Sequence, residues 1–160
     1  MKPTRHLRPQ HSCSPLNILR LCLALSTVAL LAGCGFAASK QAGEALIANH
    51  FQAIGTNGYS AALANYGAQF FSKTSPDEWT KMLEKVGSKL GQFQNYAIVN
   101  WNVHKGASTT TGSGTTVRIT VNSTYSKYPA QEQFVLFKGS NDAEFKILGH
   151  HISSTGLLKE

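Results

Sequence analysis

One stretch near the start divides this chain into two parts. Residues 1–20 contain four basic residues and no acidic ones, and residues 21–31 form an uncharged run of eleven residues that leads into Ala32, Gly33 and Cys34. A basic start, a short apolar run and small residues are the features of a secretory signal. A buried helix or a permanent anchor is the alternative, but a spanning helix needs about 20 apolar residues. The sequence therefore predicts that residues 1–33 are removed and that residues 34–160 remain.

The stretch Leu31-Ala32-Gly33-Cys34 resembles the lipobox of bacterial lipoproteins at every position. The resemblance implies cleavage between Gly33 and Cys34, a diacylglycerol thioether on Cys34, and a further acyl chain such as palmitate on its new amino group. Several acyl chains hold a protein on a bilayer almost irreversibly. Gly35 after the cysteine, in place of Asp, implies the periplasmic face of the outer membrane if the host is Gram-negative. Residues 34–39 would be a lipidated tether and residues 40–160 one folded domain.

Cleavage changes what the composition indicates. The net charge of +7 falls to +3 beyond residue 33, because that part keeps all 8 acidic and 11 of the 15 basic residues. A nucleic-acid-binding domain would be expected to carry a clustered basic face, so this function class is excluded. Of the three cysteines, only Cys34 remains, which excludes a disulfide framework and a thiolate metal site.

The first 50 residues of the mature part predict helices. Residues 41–54 place four apolar side chains on one stripe of a helix, namely Leu46, Ile47, Phe51 and Ile54. A weaker second helix is expected through Tyr59 and Tyr66. Ser75 and Glu78 have the spacing of a capping box, with Pro76 at the first helical position. The third helix that follows has its core face at Trp79, Met82, Leu83, Val86 and Leu90.

From Gly91 the apolar period changes to two, which predicts strands. The strands are expected around residues 97–104, 117–125, 134–137 and 145–152, with turns at 105–114 and 139–142. Three helices followed by four strands in a meander predict an α+β fold, with the helices packed on one face of a curved antiparallel sheet.

This order resembles the nuclear transport factor 2-like superfamily, whose curved sheet forms a cone around the first helix. The stretches that carry the resemblance are Asn49-His50-Phe51-Gln52-Ala53-Ile54, Thr74-Ser75-Pro76-Asp77-Glu78-Trp79 and Phe145-Lys146-Ile147-Leu148-Gly149-His150-His151-Ile152. It covers roughly residues 40–155 and is closer to uncharacterised secreted members than to the ketosteroid isomerases. The resemblance implies a pocket between the first helix and the concave face of the sheet.

By alternation along the strands, the pocket is expected to contain Trp101, Ser123, Tyr125, and His151 beside Gly149, with His50 contributed by the first helix. Histidine can act as an acid or base near neutral pH. The superfamily's isomerases also use a carboxylate, and Glu132 and Glu144 are both expected at the rim. The sequence therefore predicts no catalytic residues, and no cofactor. Adjacent strand residues point to opposite faces, so His150 and His151 are not expected to chelate one metal ion.

Two functional hypotheses follow, with an isomerase or dehydratase using His50 as a distant third. The first is a lipid-anchored envelope domain, held on the membrane through Cys34, that binds a small apolar ligand in the cone. The second is an interaction module with a filled cone, which would form a homodimer or bind a partner through an outer sheet face. That face is expected to contain Tyr96, Ile98, Asn100, Asn102, Arg118 and Thr120.

Overall fold

The computed structural model describes the backbone of residues 15–108 and 111–159, and the side chains of residues 35–107 and 111–159. The helices are α1 (Pro15–Asn57), α2 (Tyr59–Ala62), α3 (Ala68–Phe71) and α4 (Pro76–Leu90). The strands are β1 (Phe93–Ser108), β2 (Gly112–Tyr125), β3 (Pro129–Gly139) and β4 (Lys146–Ser153), and 3-10 turns span Leu63–Asn65 and Thr155–Leu158. The chain divides into the units Met1–Gly35 and Phe36–Glu160. The side chain of Cys34, where lipidation and cleavage are predicted, lies outside the described ones.

The unit Phe36–Glu160 is α+β, as predicted, with an antiparallel sheet in the order β1-β2-β3-β4. The helices differ in detail from the expectation. α1 begins before residue 41 and includes residues 36–39, which were expected to be a tether. The second predicted helix is divided into α2 and a 3-10 turn, and Tyr66 forms a parallel bridge with Ile147 of β4. The four-residue helix α3 was not predicted.

The core lies between the helices and one face of the sheet, which we call the inner face. A Cβ atom at Gly43 of α1 would lie 3.2–3.3 Å from side chains of Val117, Ile119 and Leu136. Glycine therefore lets α1 approach the two central strands closely. One and two turns further along α1, Ile47 and Phe51 are buried in one hydrophobic cluster with Val117, Ile119 and Leu136. One stripe of α1 therefore faces β2 and β3.

Three β-bulges change which side chains of the edge strands face α1. Gln94 is an extra residue in β1, since Phe93 pairs with Tyr125 and Asn95 with Thr124. Val99 is an extra residue in β1, since Ile98 pairs with Val121 and Asn100 with Thr120. Leu148 is an extra residue in β4, since Ile147 pairs with Leu136 and Gly149 with Val135. An extra residue reverses the alternation of side chains beyond it. Consequently the inner residues of β1 and β4 switch between odd and even numbers within each strand.

The start of α4 matches the predicted capping box. Glu78 N donates to Ser75 Oγ at 3.3 Å, and Ser75 N donates to Glu78 Oε2 at 2.9 Å. Trp79, Leu83, Val86 and Leu90 are buried, whereas Met82, which was expected in the core, is 37% exposed. The helix ends at Gly91, whose φ of 90° suits glycine.

Replacing Ser75 by alanine is expected to lower the free energy of unfolding by about 1 kcal/mol, because α4 loses its side-chain cap. Urea denaturation would measure the loss. Ser72→Ala is a suitable control, since Ser72 is exposed and its hydroxyl bonds only to the Gln69 carbonyl within a short turn. Equal losses in the two variants would contradict a capping role for Ser75.

Candidate functional site

A buried carboxylate lies at the centre of the inner face. Glu132 of β3 is 0% exposed. Its Oε1 accepts hydrogen bonds from Ser123 Oγ at 2.6 Å and from Tyr125 OH at 2.9 Å, both on β2. Its Oε2 lies 2.8 Å from His150 Nε2 of β4. Three neighbouring strands thus supply the carboxylate and these partners.

His150 connects the carboxylate to Tyr66. The hydroxyl of Tyr66 lies 2.7 Å from His150 Nδ1, on the opposite side of the ring from Glu132. The side chains of His150 and Glu132 are 0% and 1% exposed. A carboxylate can only accept hydrogen bonds, so His150 Nε2 carries a proton. We call Tyr66, Ser123, Tyr125, Glu132 and His150 the buried polar cluster.

The protonation of the cluster follows from its partners. Burial alone raises the pKa of Glu132, but the hydrogen bond and charge of His150, with the hydroxyls of Ser123 and Tyr125, outweigh burial and lower it. Burial raises the pKa of both Tyr66 and Tyr125, and the charge of Glu132 raises each further. The phenols therefore stay protonated, and Tyr125 donates to the ionised Glu132.

His50 lies beside the cluster without joining its hydrogen bonds. Its ring is 0% exposed and meets the rings of Phe51, Tyr66, Phe134 and His150 edge to face, at centroid distances of 5.3–5.6 Å. The Ala62 carbonyl lies near enough to raise the pKa slightly, but neither ring nitrogen makes a hydrogen bond of ordinary geometry. Burial, with the charge of His150, lowers the pKa of His50 to about 3. His50 is therefore neutral at neutral pH.

The structure corrects two of the five expected pocket residues. His50, Ser123 and Tyr125 are buried on the inner side, as expected. His151 is exposed and pairs with Gln133 on the outer face, because the bulge at Leu148 places His150 inside instead. Trp101 pairs with the inner residue Ile119 but is 43% exposed, since β1 is an edge strand. Gly149, which was expected inside, lies opposite Val135 on the outer face.

Sequence reasoning missed the carboxylate and two of its neighbours. Glu132 was expected at the rim, and His150 and Tyr66 were not considered for the site. One signal was available for Glu132. Alternate residues of β3 are buried from its start, at Ala130, Glu132, Phe134 and Leu136. Extending the even-numbered apolar pattern backward from Phe134 would have placed Glu132 inside.

Tyr66, His150 and Glu132 form the kind of hydrogen-bonded series that moves protons in enzymes. Here, however, these side chains are closed off from solvent, and His150 is stacked on Phe134 at a centroid distance of 4.1 Å. None of the five residues of the cluster lines the cavity of about 510 Å³ beside Gly67 and Phe137. No reactant can reach the cluster unless the surrounding rings separate.

Comparison of the chain with protein-family models, with curated proteins and with solved structures gives no match. Within the described residues, no set of three or more His, Cys, Asp or Glu side chains is arranged to bind a metal ion. The helices described there also include none with the length and apolar character needed to cross a bilayer. What the site does has to be argued from its own geometry.

The depressed pKa of His50 predicts a specific pH dependence. The histidine of the unfolded chain takes up a proton near its ordinary pKa of 6.5, whereas folded His50 does so only near pH 3. Stability from the neutral ring is therefore complete above pH 6.5 and falls as the pH drops toward 3, by up to about 1.4 kcal/mol per pH unit. Glu132, whose pKa is also lowered, adds a loss only below its ordinary value of 4.5.

The interval between pH 6.5 and 5 thus separates the contribution of His50 from that of Glu132. We expect His50→Leu to abolish most of the slope of unfolding free energy in this interval, measured by urea denaturation at several pH values. His104→Leu is the matched control, because His104 is exposed. An unchanged slope in His50→Leu would show that another group causes the acid sensitivity.

Proposed function

We propose that this chain is a lipid-anchored protein of the bacterial cell envelope that works by binding a second copy of itself or a partner protein. In this proposal the domain is a nuclear transport factor 2-like cone whose interior is filled. The lipobox-like residues 31–34 support the anchor. The filled interior supports a protein-binding role over a ligand pocket or an active site.

One observation carries this choice. The positions where a cone-shaped pocket would lie are filled. Ser123 and Glu132 bond to each other, His50 packs among the rings beside them, and all three are at most 1% exposed. Ser123 and Tyr125 use their hydroxyls on Glu132, and not on a cavity. Buried polar groups that satisfy one another stabilise a particular packing, which suits a structural core.

The outer face of the sheet, unlike the filled interior, presents polar side chains to a partner. Asn100 pairs with Thr120 and Asn102 with Arg118 across β1 and β2, and these side chains are exposed or half-buried. A shallow cavity of about 210 Å³ lies among them. Tyr96 and Ile98, which were expected on this face, pack against the core instead, because they precede the bulge at Val99. The remaining residues are two amides, one hydroxyl and one cation, which suit a hydrogen-bonded protein interface.

Arg118→Glu tests this interface. The lipidated protein, purified in mild detergent, would be examined by native mass spectrometry. We expect a dimer or a co-purified protein in the wild type and its loss in Arg118→Glu. Lys81→Glu, at an exposed position of α4, makes the same change of charge. It is the control and should leave the assembly intact. A monomer with no bound protein would contradict the proposal.

A small ligand near His50 is the second candidate. Both ring nitrogens of His50 are buried without a hydrogen bond of ordinary geometry, whereas the indole nitrogen of Trp79 lies close enough to the Tyr66 hydroxyl to lower its pKa. Unpaired buried polar groups are uncommon and can indicate a bound water or ligand. The same mass spectra decide this point: a small-molecule adduct that disappears in His50→Leu would favour the ligand.

The anchor is tested separately by membrane fractionation of bacteria that express the chain. Wild-type protein should sediment with the membranes and incorporate labelled palmitate, and Cys34→Ala should do neither. In a Gram-negative host we expect the outer-membrane fraction. Membrane attachment that survives in Cys34→Ala would refute lipidation at this residue.

A further inference from the structure

Two aromatic rings and two lysines interleave where α1 begins its contact with the edge strand β1. Phe36 and Lys40 are four residues apart on α1 and so share a face. The Lys40 ammonium lies 5.2 Å from the ring centre of Trp101, and the Lys105 ammonium lies 5.6 Å from the ring centre of Phe36. Each element thus contributes one ring and one cation. We call these four residues the aromatic–lysine patch.

Both rings remain open to solvent. Phe36 is 48% exposed and Trp101 is 43% exposed, whereas the other tryptophan, Trp79, is only 7% exposed. The cation–π contacts do not cover the rings, since each lysine lies over one ring face only. An exposed phenylalanine and an exposed tryptophan in one patch indicate a surface that is covered in the working protein.

The charges of the patch are mainly positive. Lys40 forms an ion pair with Glu44 on α1. Lys105 has no such carboxylate among the described ion pairs, and Lys138 lines the same surface cavity as Lys105. Two lysines and one glutamate therefore lie at the two rings, and Lys138 adds a further positive charge beside Lys105. An anionic surface would complement this end of the domain.

We propose that the aromatic–lysine patch rests on the membrane surface as a second contact beside the lipid anchor. The inference depends on the proposed lipidation of Cys34, which precedes Phe36 by two residues in the sequence. Tryptophan and phenylalanine prefer the boundary between headgroups and acyl chains, where a ring enters about 5–10 Å. Lysine extends its ammonium to the headgroups while its methylenes stay against the rings. Anionic lipids attract such lysines.

The identity of the cations favours a bilayer over a protein as the occupant. Protein interfaces are enriched in arginine and depleted in lysine, and the cations around this patch are lysines. A lipid chain on Cys34 would also hold the start of the domain within a few residues of the bilayer. The patch then prevents the domain from rotating freely about its lipid anchor and fixes which surface faces away from the membrane.

Quenching of Trp101 by lipid tests the proposal. The full chain, expressed in bacteria so that it is processed and acylated, would be reconstituted into phosphatidylethanolamine–phosphatidylglycerol vesicles, some of them with brominated acyl chains. Trp79→Phe leaves Trp101 as the only tryptophan of the two in the chain. We expect its emission to be quenched by brominated lipid and shifted to the blue. Trp101→Phe, which keeps only buried Trp79, is the control and should not be quenched.

The possible outcomes separate the patch from the anchor. Protein that floats with the vesicles but shows no quenching of Trp101 overturns the patch and leaves the anchor intact. Protein that does not float overturns the anchor, and with it the patch. If Trp79→Phe does not fold, the difference in quenching between the wild type and Trp101→Phe reports the same quantity. A Trp101 that is shielded from acrylamide but not quenched by brominated lipid identifies a protein partner and rejects the bilayer.

Discussion

Replacing Glu132 by alanine is expected to lower the free energy of unfolding by about 3–5 kcal/mol, the usual cost of removing one partner from a buried ion pair or network. The loss has two sources. The hydroxyls of Ser123 and Tyr125 and the Nε2 proton of His150 would lose their common acceptor while remaining buried. The missing side chain would also leave a cavity in the inner face of the sheet.

Urea denaturation followed by circular dichroism would measure this loss, with Glu84→Ala as the control. Glu84 is exposed on α4, so its removal should change stability by no more than about 0.5 kcal/mol. Glu132→Gln keeps the size of the side chain and should be intermediate, because an amide oxygen still accepts hydrogen bonds. A loss below about 1 kcal/mol in Glu132→Ala, well under the usual cost for such a network, would show that the cluster is hydrated or open in solution.

Trp79→Ala is expected to cost about 3–5 kcal/mol, as large core truncations do. Trp79 is 7% exposed and its ring packs on Tyr66, Phe70 and His150, at centroid distances of 5.9, 4.8 and 5.7 Å. Trp101→Ala removes the same number of atoms from an exposed site. It should cost about 1 kcal/mol or less, chiefly the cation–π contact with Lys40.

These two variants form a matched pair, because they make the same chemical change on either side of the boundary between core and surface. Their unfolding should be followed by circular dichroism, since each variant lacks one fluorophore. A large loss in Trp101→Ala, comparable to that of Trp79→Ala, would contradict its placement on the surface and would show that it packs in a filled interior.

The sequence predicted the fold class because its apolar periods are clear. The capping box at Ser75 and the alternation of Val117, Ile119 and Val121 each have one dominant local cause. The side chains of β2 therefore point as expected, with Ser123 and Tyr125 inside. The antiparallel order of the four strands follows from the short connections between them.

The content of the site could not be predicted with the same success, because β-bulges depend on tertiary packing. Phe145 and Ile147 indicate correctly that odd-numbered residues of the last strand start on the inner face. The extra residue at Leu148 reverses this, so His150 enters the core and His151 leaves it. The bulge at Val99 likewise puts Tyr96 and Ile98, which were expected on the outer face, on the inner face. Nothing in either local pattern marks where the extra residue falls.

Glu132 was missed for a different reason. A carboxylate is rarely buried without partners, so its position near a strand start was interpreted as a rim. Its partners come from Ser123, Tyr125 and His150, which lie 9, 7 and 18 residues away along the chain. Only the paired register of three strands brings these partners to the charge and makes its burial possible.

The close approach at Gly43 has a mechanical consequence. Because α1 contacts Val117 and Ile119 of β2 and Leu136 of β3 there without an intervening side chain, the helix cannot slide without moving both central strands. A load applied along the helix is thus distributed over the hydrogen-bond ladders that join β2 to β1 and β3.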